Sequence, residues 1–305
     1  MGIAVYPTLA MDRQALFDRA DYALYHVKNS VTGRALLFSD EHSAAISENT
    51  KVEQALLSAN FAQEMKVYFQ PIVDIRTNAV VAFEALARWQ SPQLGFVSPN
   101  MFIPAAERIG AINALTHVLL ANALAVASKW PPHIRLSFNL STRDVSSAEC
   151  VFGLMAIVLK SGLDPQRIDF EITETSIMND FERSRAAVET LRRFGCGISL
   201  DDFGTGFSSL RQLHALPLTK IKVDRSFVSD LHRRPASYKI VKSLIALSSD
   251  MGLECVIEGA ETEDEMVALR KIGCALVQGY YFARPMPDDD LKFDFSKPVS
   301  ERSVA

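Results

Sequence analysis

Two long β-type runs, 67–74 and 80–89, are separated only by the residues IRTNA. A connection that short cannot carry the crossover that parallel neighbours need, so the two runs must fold into an antiparallel hairpin. Later gaps are of another kind. Six more β-type runs follow at 134–141, 168–173, 197–203, 220–224, 254–259 and 276–283, and helical patterns fill the spaces, for example at 111–129, 148–162, 180–194, 236–251 and 263–272. Eight strands alternating with helices predict an α/β fold, a closed TIM-like (β/α)8 barrel of about 250 residues. Its first strand should be antiparallel.

Residues 41–63 are polar and helix-compatible, with Val52, Ala55, Leu56 and Phe61 at helical spacing, and are expected as a linker helix. The expected division is therefore a short amino-terminal piece at 1–40, the linker, the barrel at 64–295 and a tail at 296–305. Apolar residues make up 48% of the chain and charged residues 22%, enough for a large core. The net charge of -4 and the lack of a long basic run argue against DNA or RNA polymer binding, while leaving open a small phosphate ligand held by a few groups. Cys150, Cys196, Cys255 and Cys274 form no CxxC pair and read as reduced core residues. No apolar run approaches about 18 residues and no leader pattern is present. A cytoplasmic domain is expected, whose parent protein could be membrane-anchored upstream.

The polar residues collect at the ends of the β-type runs. Glu84, Asn139, Glu171, Asp201 with Asp202, Lys222 with Asp224, Glu258 and Gln278 come from seven strands. In such a barrel the carboxyl ends of the strands share one mouth, where active sites lie. Strand alternation puts Glu84, Leu86 and Arg88 on one face, and likewise Lys222 with Asp224. A single strand-end acid is ordinarily a solvated turn former, but seven strands in agreement are not. Carboxylates crowded at roughly 5 Å in an effective dielectric near 20 repel by about 3 kcal/mol per pair, so a cation must offset them. Oxygen ligands without histidine favour Mg²⁺ or Mn²⁺ over Zn²⁺, and adjacent aspartates suit the bridging of two ions.

At FEALARW, 83–89, the chain resembles the EAL-domain phosphodiesterases that hydrolyse cyclic di-GMP. The likeness continues in family order through QPIVD at Gln70, FIPAAERIG at Phe102, NLSTRD at Asn139, FEITET at Phe170, LDDFGTGFSSL at Leu200, KIKVDRSFV at Lys220, IEGAET at Ile257 and QGYYFARP at Gln278. The resemblance implies two divalent metal ions. Glu84, Asn139, Glu171 and Asp201 would hold one, with Asp201 shared, and Asp202 and Glu258 would support the second. It implies that Lys222 helps orient the attacking water, that Gln70, Leu86, Arg88, Asp224, Gln278 and Phe282 contact substrate, and that Glu174 steadies the loop after Asp202. Phe282 could stack on a guanine or serve as a core aromatic. The implied reaction opens cyclic di-GMP to linear pGpG. Ile257 and Ala260 stand where the family commonly has Ala and Val, apolar replacements that leave Glu258 and Glu261 in place. The alternative, a non-hydrolytic cyclic di-GMP receptor, would call for lost ligands, and none is lost.

Residues 2–38 resemble the carboxy-terminal end of a GGDEF domain, without the loop that names it, so no cyclic di-GMP synthesis is expected. A longer parent with upstream GGDEF or sensor domains is implied. The family also pairs barrels through the loop after the double aspartate, so a homodimer is expected, with Gly204 and Gly206 giving that loop freedom to couple dimer contacts to the site.

Overall fold

The IRTNA connection does what its length requires. Met65–Asp74 and Ala79–Ser91 pair antiparallel from Met65 opposite Trp89 to Asp74 opposite Ala79, and Asn78 takes the left-handed turn conformation at φ 54°. The computed structural model describes residues 1–6, 12–30, 35–204 and 210–291, and the chain divides into two units, Met1–Ser58 and Ala59–Ala305.

In the first unit β1 (Gly2–Ile3) pairs parallel with β2 (Leu36–Leu37), and α1 (Arg13–Ser30) packs on them. The approach is close: a Cβ on Gly2 would lie 2.0 Å from the Ala20 carbonyl oxygen. Phe38 is buried against Tyr22 and His42, at ring distances of 5.8 and 5.5 Å. Val52, Ala55 and Leu56 are the buried stripe of α2 (Asp40–Ser58). The expected linker helix is thus divided. It ends at Ser58, and Phe61 opens a separate turn, α3 (Phe61–Glu64), in the second unit. There Glu64 accepts from the Asn60 amide at 2.8 Å and from the Trp89 indole at 2.9 Å.

After α3 come β3 (Met65–Asp74), β4 (Ala79–Ser91), β5 (Gly95–Val97), α4 (Pro99–Arg108), α5 (Ile112–Ala127), β6 (Arg135–Asn139), α6 (Ala148–Ser161), β7 (Ile168–Thr173), α7 (Glu174–Asn179), α8 (Phe181–Phe194), β8 (Gly197–Phe203), α9 (Leu210–Ala215), β9 (Lys220–Val223), α10 (Pro235–Asp250), β10 (Glu254–Glu258), α11 (Glu263–Ile272) and β11 (Leu276–Gln278). Eight of these strands close in the order β3-β4-β6-β7-β8-β9-β10-β11 and back to β3. β3 is antiparallel to both neighbours, the other junctions are parallel, and β5 extends β4 outside the ring.

Helix ends follow local chemistry. α6 begins at Ser147, whose hydroxyl accepts from the Cys150 amide, and ends at left-handed Gly162. α11 has the full reciprocal cap, with Thr262 and Glu265 satisfying each other's backbone amides. The barrel interior is divided: Ile72, Ala82, Val256 and Leu276 pack together as an apolar cluster, while Ser137, Asp169, Glu171, Ser199, Lys220 and Lys222 are buried polar residues of the neighbouring strands β6 to β9. All four cysteines are free thiols, Cys196 and Cys274 buried. No helix among the described residues is long and apolar enough to cross a membrane.

Candidate active site

Lys222 is the hub. It sits on β9 with 1% of its side chain exposed, and four carboxylates from four other strands surround its ammonium. Glu258 lies at 2.5 Å, Glu171 at 2.9 Å, and Glu84 and Asp201 each at 3.4 Å. Four acids against one buried ammonium leave a formal excess of three negative charges. Burial limits how far water can disperse that excess, so the protons respond. Burial and then the nearby Glu84 push the Glu171 carboxyl well above the usual range. Burial raises Glu258 to about 8, against the pull of Lys222. Glu84 goes the other way. Burial opposes its charge, but Lys222, Gln278 and Asn139 outweigh that and lower its pKa. The four carboxylates hold Lys222 well above its ordinary value although burial works against the charge.

Amides and a hydroxyl fix the acids in place. Glu84 accepts from the Asn139 side chain at 2.7 Å through Oε1 and from Gln278 at 2.5 Å through Oε2. Gln278 also donates to Gln70 at 3.1 Å, and Gln70 donates to the Ala283 carbonyl at 3.1 Å. Glu171 accepts from the Ser137 hydroxyl at 2.5 Å through Oε1 and from Lys222 through Oε2. Asp201 differs, since its Oδ1 is buried and makes no hydrogen bond among the described residues.

The adjacent aspartates have a backbone explanation. Neighbours in a regular strand point to opposite faces, but the β8–β9 register shifts between Leu200 and Phe203, and Asp202 lies in the left-handed region at φ 54°. That irregularity ends the alternation, so Asp202 need not face away from Asp201. Burial, then Asp201 and Asp224, raise the Asp202 carboxyl. Gly204 follows at φ 99°, where a Cβ would meet the Phe227 ring at 2.9 Å. Gly206 and the rest of 205–209 lie outside the described residues.

A cleft of about 480 Å³ opens over this cluster, lined by Gln70, Leu86, Asp201, Asp224, Glu258 and Gln278 among others. The Asp224 carboxylate accepts from the Ser226 amide at 2.9 Å, fixed by its own turn. Arg88 and Asn139 line an adjoining apolar cavity of about 520 Å³, and Leu86 borders both. The Arg88 guanidinium lies over the Tyr68 ring at 5.2 Å and donates to the Ala87 carbonyl. Glu174 is buried in the first turn of α7. Phe282 is placed in the core: it is 4% exposed and packs edge-on to Tyr281 at 5.1 Å, leaving no open face for a base. The run expected over 276–283 stops as a strand at Gln278, because the chain turns at Gly279 against the Ala260 backbone, where a Cβ would lie 2.0 Å from a carbonyl oxygen.

Sequence reasoning missed Ser137 and Tyr280. Ser137 is two residues before Asn139 on one strand, and that same-face spacing was the available signal. Tyr280 lines the cleft and is 39% exposed, with Arg284 over its ring at 4.3 Å.

The donor set suits divalent cations. It consists of carboxylates and one amide oxygen with no histidine or thiolate, and the buried Asp201 Oδ1 makes no hydrogen bond among the described residues, only the 3.4 Å ion pair with Lys222. Among the described residues no three acids converge on a common vacant point. The Lys222 ammonium holds the centre they share.

Fold and site define a class: a closed α/β barrel whose carboxyl-end mouth carries hard oxygen donors around one buried lysine. The EAL domain family model matches residues 52–285, and the chain belongs to that family. Among its relatives is the bifunctional diguanylate cyclase/cyclic di-GMP phosphodiesterase MucR of Pseudomonas aeruginosa, 33% identical over 95% of this chain and 43% of its own length. Another is the cyclic di-GMP phosphodiesterase PdeR of Escherichia coli K12, 31% identical over 94% of this chain and 44% of its own. This chain therefore spans less than half of either protein. Of solved structures, the MucR phosphodiesterase in complex with c-di-GMP superposes with a TM-score of 0.74 at 33% identity, over 79% of this chain and 99% of that one. BlrP1 of Klebsiella pneumoniae, as a manganese/cy-diGMP complex, gives 0.66 at 33% identity, over 74% of this chain and 57% of that one.

Proposed function

We propose that the barrel hydrolyses cyclic di-GMP to linear pGpG with two divalent cations, Mg²⁺ or Mn²⁺. The observation that carries this reading is the acid cluster around Lys222, four carboxylates against one buried ammonium, in which the buried Asp201 Oδ1 makes no hydrogen bond among the described residues and faces only the Lys222 charge at 3.4 Å. Glu84, Asn139, Glu171 and Asp201 would hold one cation, with Asp201 shared and Asp202 and Glu258 serving the second. When bound, the pair would activate water and neutralise charge developing on the phosphodiester. One water adds across one P–O bond: its oxygen bonds to phosphorus, the ring P–O bond breaks, and the leaving oxygen takes a proton.

Lys222 offsets the repulsion among the four acids, donating to Glu171 Oε2 at 2.9 Å and lying 2.5 Å from Glu258. Gln278 and Gln70 brace Glu84 and present amide groups to the cleft, with Leu86 and Asp224 on its walls. Arg88 offers a planar fork to a phosphate oxygen. Incubation with Mn²⁺ and cyclic di-GMP should yield linear product by chromatography. Absence of turnover at every metal concentration with nucleotide binding intact would favour a non-hydrolytic receptor instead.

Residues 1–40 are read as the carboxy-terminal part of a GGDEF domain, the barrel as the downstream module of a longer cytoplasmic signalling protein, and its working state as a homodimer. Light scattering on the isolated chain checks the last of these.

A further inference from the structure

Two serines of the barrel interior, Ser137 on β6 and Ser199 on β8, flank the strand that carries Glu171, and each is wholly buried at 0% exposure. Ser199 is the direct cross-strand partner of Glu171, yet its hydroxyl makes no hydrogen bond among the described residues. Ser137 is in register with Asp169, one inward step below Glu171, and its hydroxyl reaches up to donate to Glu171 Oε1 at 2.5 Å. Glu171 therefore has one fixed donor on each oxygen, Ser137 on Oε1 and Lys222 on Oε2. A carboxylate held at both ends cannot rotate about its last bond, and each oxygen keeps a lone pair for another partner.

We infer that Ser137 is a positioning residue that locks the Glu171 carboxylate in the orientation needed to ligate a divalent cation, whereas the equally buried Ser199 has no such role. This rests on the reading of the cluster as a metal site. The physical basis is that a ligand's outer hydrogen-bond partner fixes its orientation and so tunes metal affinity. Removal of the hydroxyl frees Glu171 to swing toward Lys222 and leaves one cation with a mobile ligand.

The paired serines supply the test, because Ser137→Ala and Ser199→Ala remove the same atom from two equally buried positions on either side of one strand. Mn²⁺ is titrated calorimetrically into the wild type and both variants, with hydrolysis and thermal midpoint measured in parallel. S137A should weaken Mn²⁺ binding by about 10- to 100-fold, while S199A leaves it unchanged. Equal affinity in the two variants would overturn the assignment, as would a loss in S199A that matches S137A. If S137A does not fold, Ser137→Cys and Ser199→Cys carry the same comparison, with the weaker thiol donor expected to give a smaller loss at 137 only. A wild type that binds no Mn²⁺ would overturn the metal-site reading itself, an outcome distinct from a wild type that binds well beside two indistinguishable variants.

Discussion

β9 carries two buried lysines, two residues apart on the same strand face, and their surroundings differ in charge balance. Lys220, toward the amino end of the barrel, donates to Asp169 at 2.9 Å and lies 3.5 Å from Glu254. Arg135 also grips Asp169 with two bonds, at 2.7 and 2.5 Å. Two cations face two anions there. Burial opposes the charge of Asp169, but Lys220 and Arg135 outweigh it and hold its carboxyl below the usual range. Packing is equally tight, since a Cβ on Gly197 would lie 1.9 Å from Asp169 Oδ1. At Lys222 the same residue type meets four acids, and Glu171 and Glu258 are pushed up instead. The lower layer is electrically closed and reads as structure. The upper layer is left short of positive charge, which is what a cation site requires before its cations arrive.

The two layers should fail in different ways. Glu84→Ala removes an upper acid braced by two amides, and hydrolysis of cyclic di-GMP should fall by more than about 100-fold while nucleotide binding persists, as read by product chromatography beside calorimetry. Lys220→Met breaks the buried pair below and should cost about 3 kcal/mol or more in denaturant unfolding, with activity per folded molecule retained. Gly197→Ala overpacks the same layer and should cost about 1 to 3 kcal/mol, leaving Mn²⁺ affinity intact. An activity loss in either lower-layer variant that exceeds its stability loss would erase the contrast.

The pH dependence of stability separates the layers by its sign. Asp169 has a lowered folded pKa, so its contribution is present above the unfolded carboxylate pKa and is lost as pH falls through the folded one. Glu258, raised to about 8, binds its proton more tightly folded than unfolded. Metal-free protein should therefore lose stability from that site as pH rises from the ordinary glutamate value toward 8. Mn²⁺ must displace that proton, so the rise in thermal midpoint on adding Mn²⁺ should grow across the same range. A metal-induced rise independent of pH would contradict the account of the upper layer.

Much of this was legible in the sequence. The reversed first strand followed from five connecting residues, and the helical pattern at 263–272 coincides with α11, whose ends Thr262, Glu265 and Gly273 fix in the structure. β5 and α4 were not placed, although Pro99 after Ser98 marks a helix start, because Pro104 inside α4 broke the pattern. The strand-end acids could be assigned to one mouth by counting, but which of them Lys222 touches depends on closure of the ring, which brings β4 and β9 face to face. The lower network went unread because Asp169 and Lys220 lie within their strands, where alternation alone does not reveal a cross-strand partner. Phe282 could not be placed until the turn at Gly279 was known.

The central claim is that the upper layer is built for two cations. Calorimetric titration of the metal-free chain with Mn²⁺, in wild type and Asp201→Asn, tests it most directly. The account predicts two Mn²⁺ per wild-type chain and impaired binding of both in D201N, because Asp201 is the proposed shared ligand; a single Mn²⁺ per chain, or two that D201N leaves untouched, would contradict it.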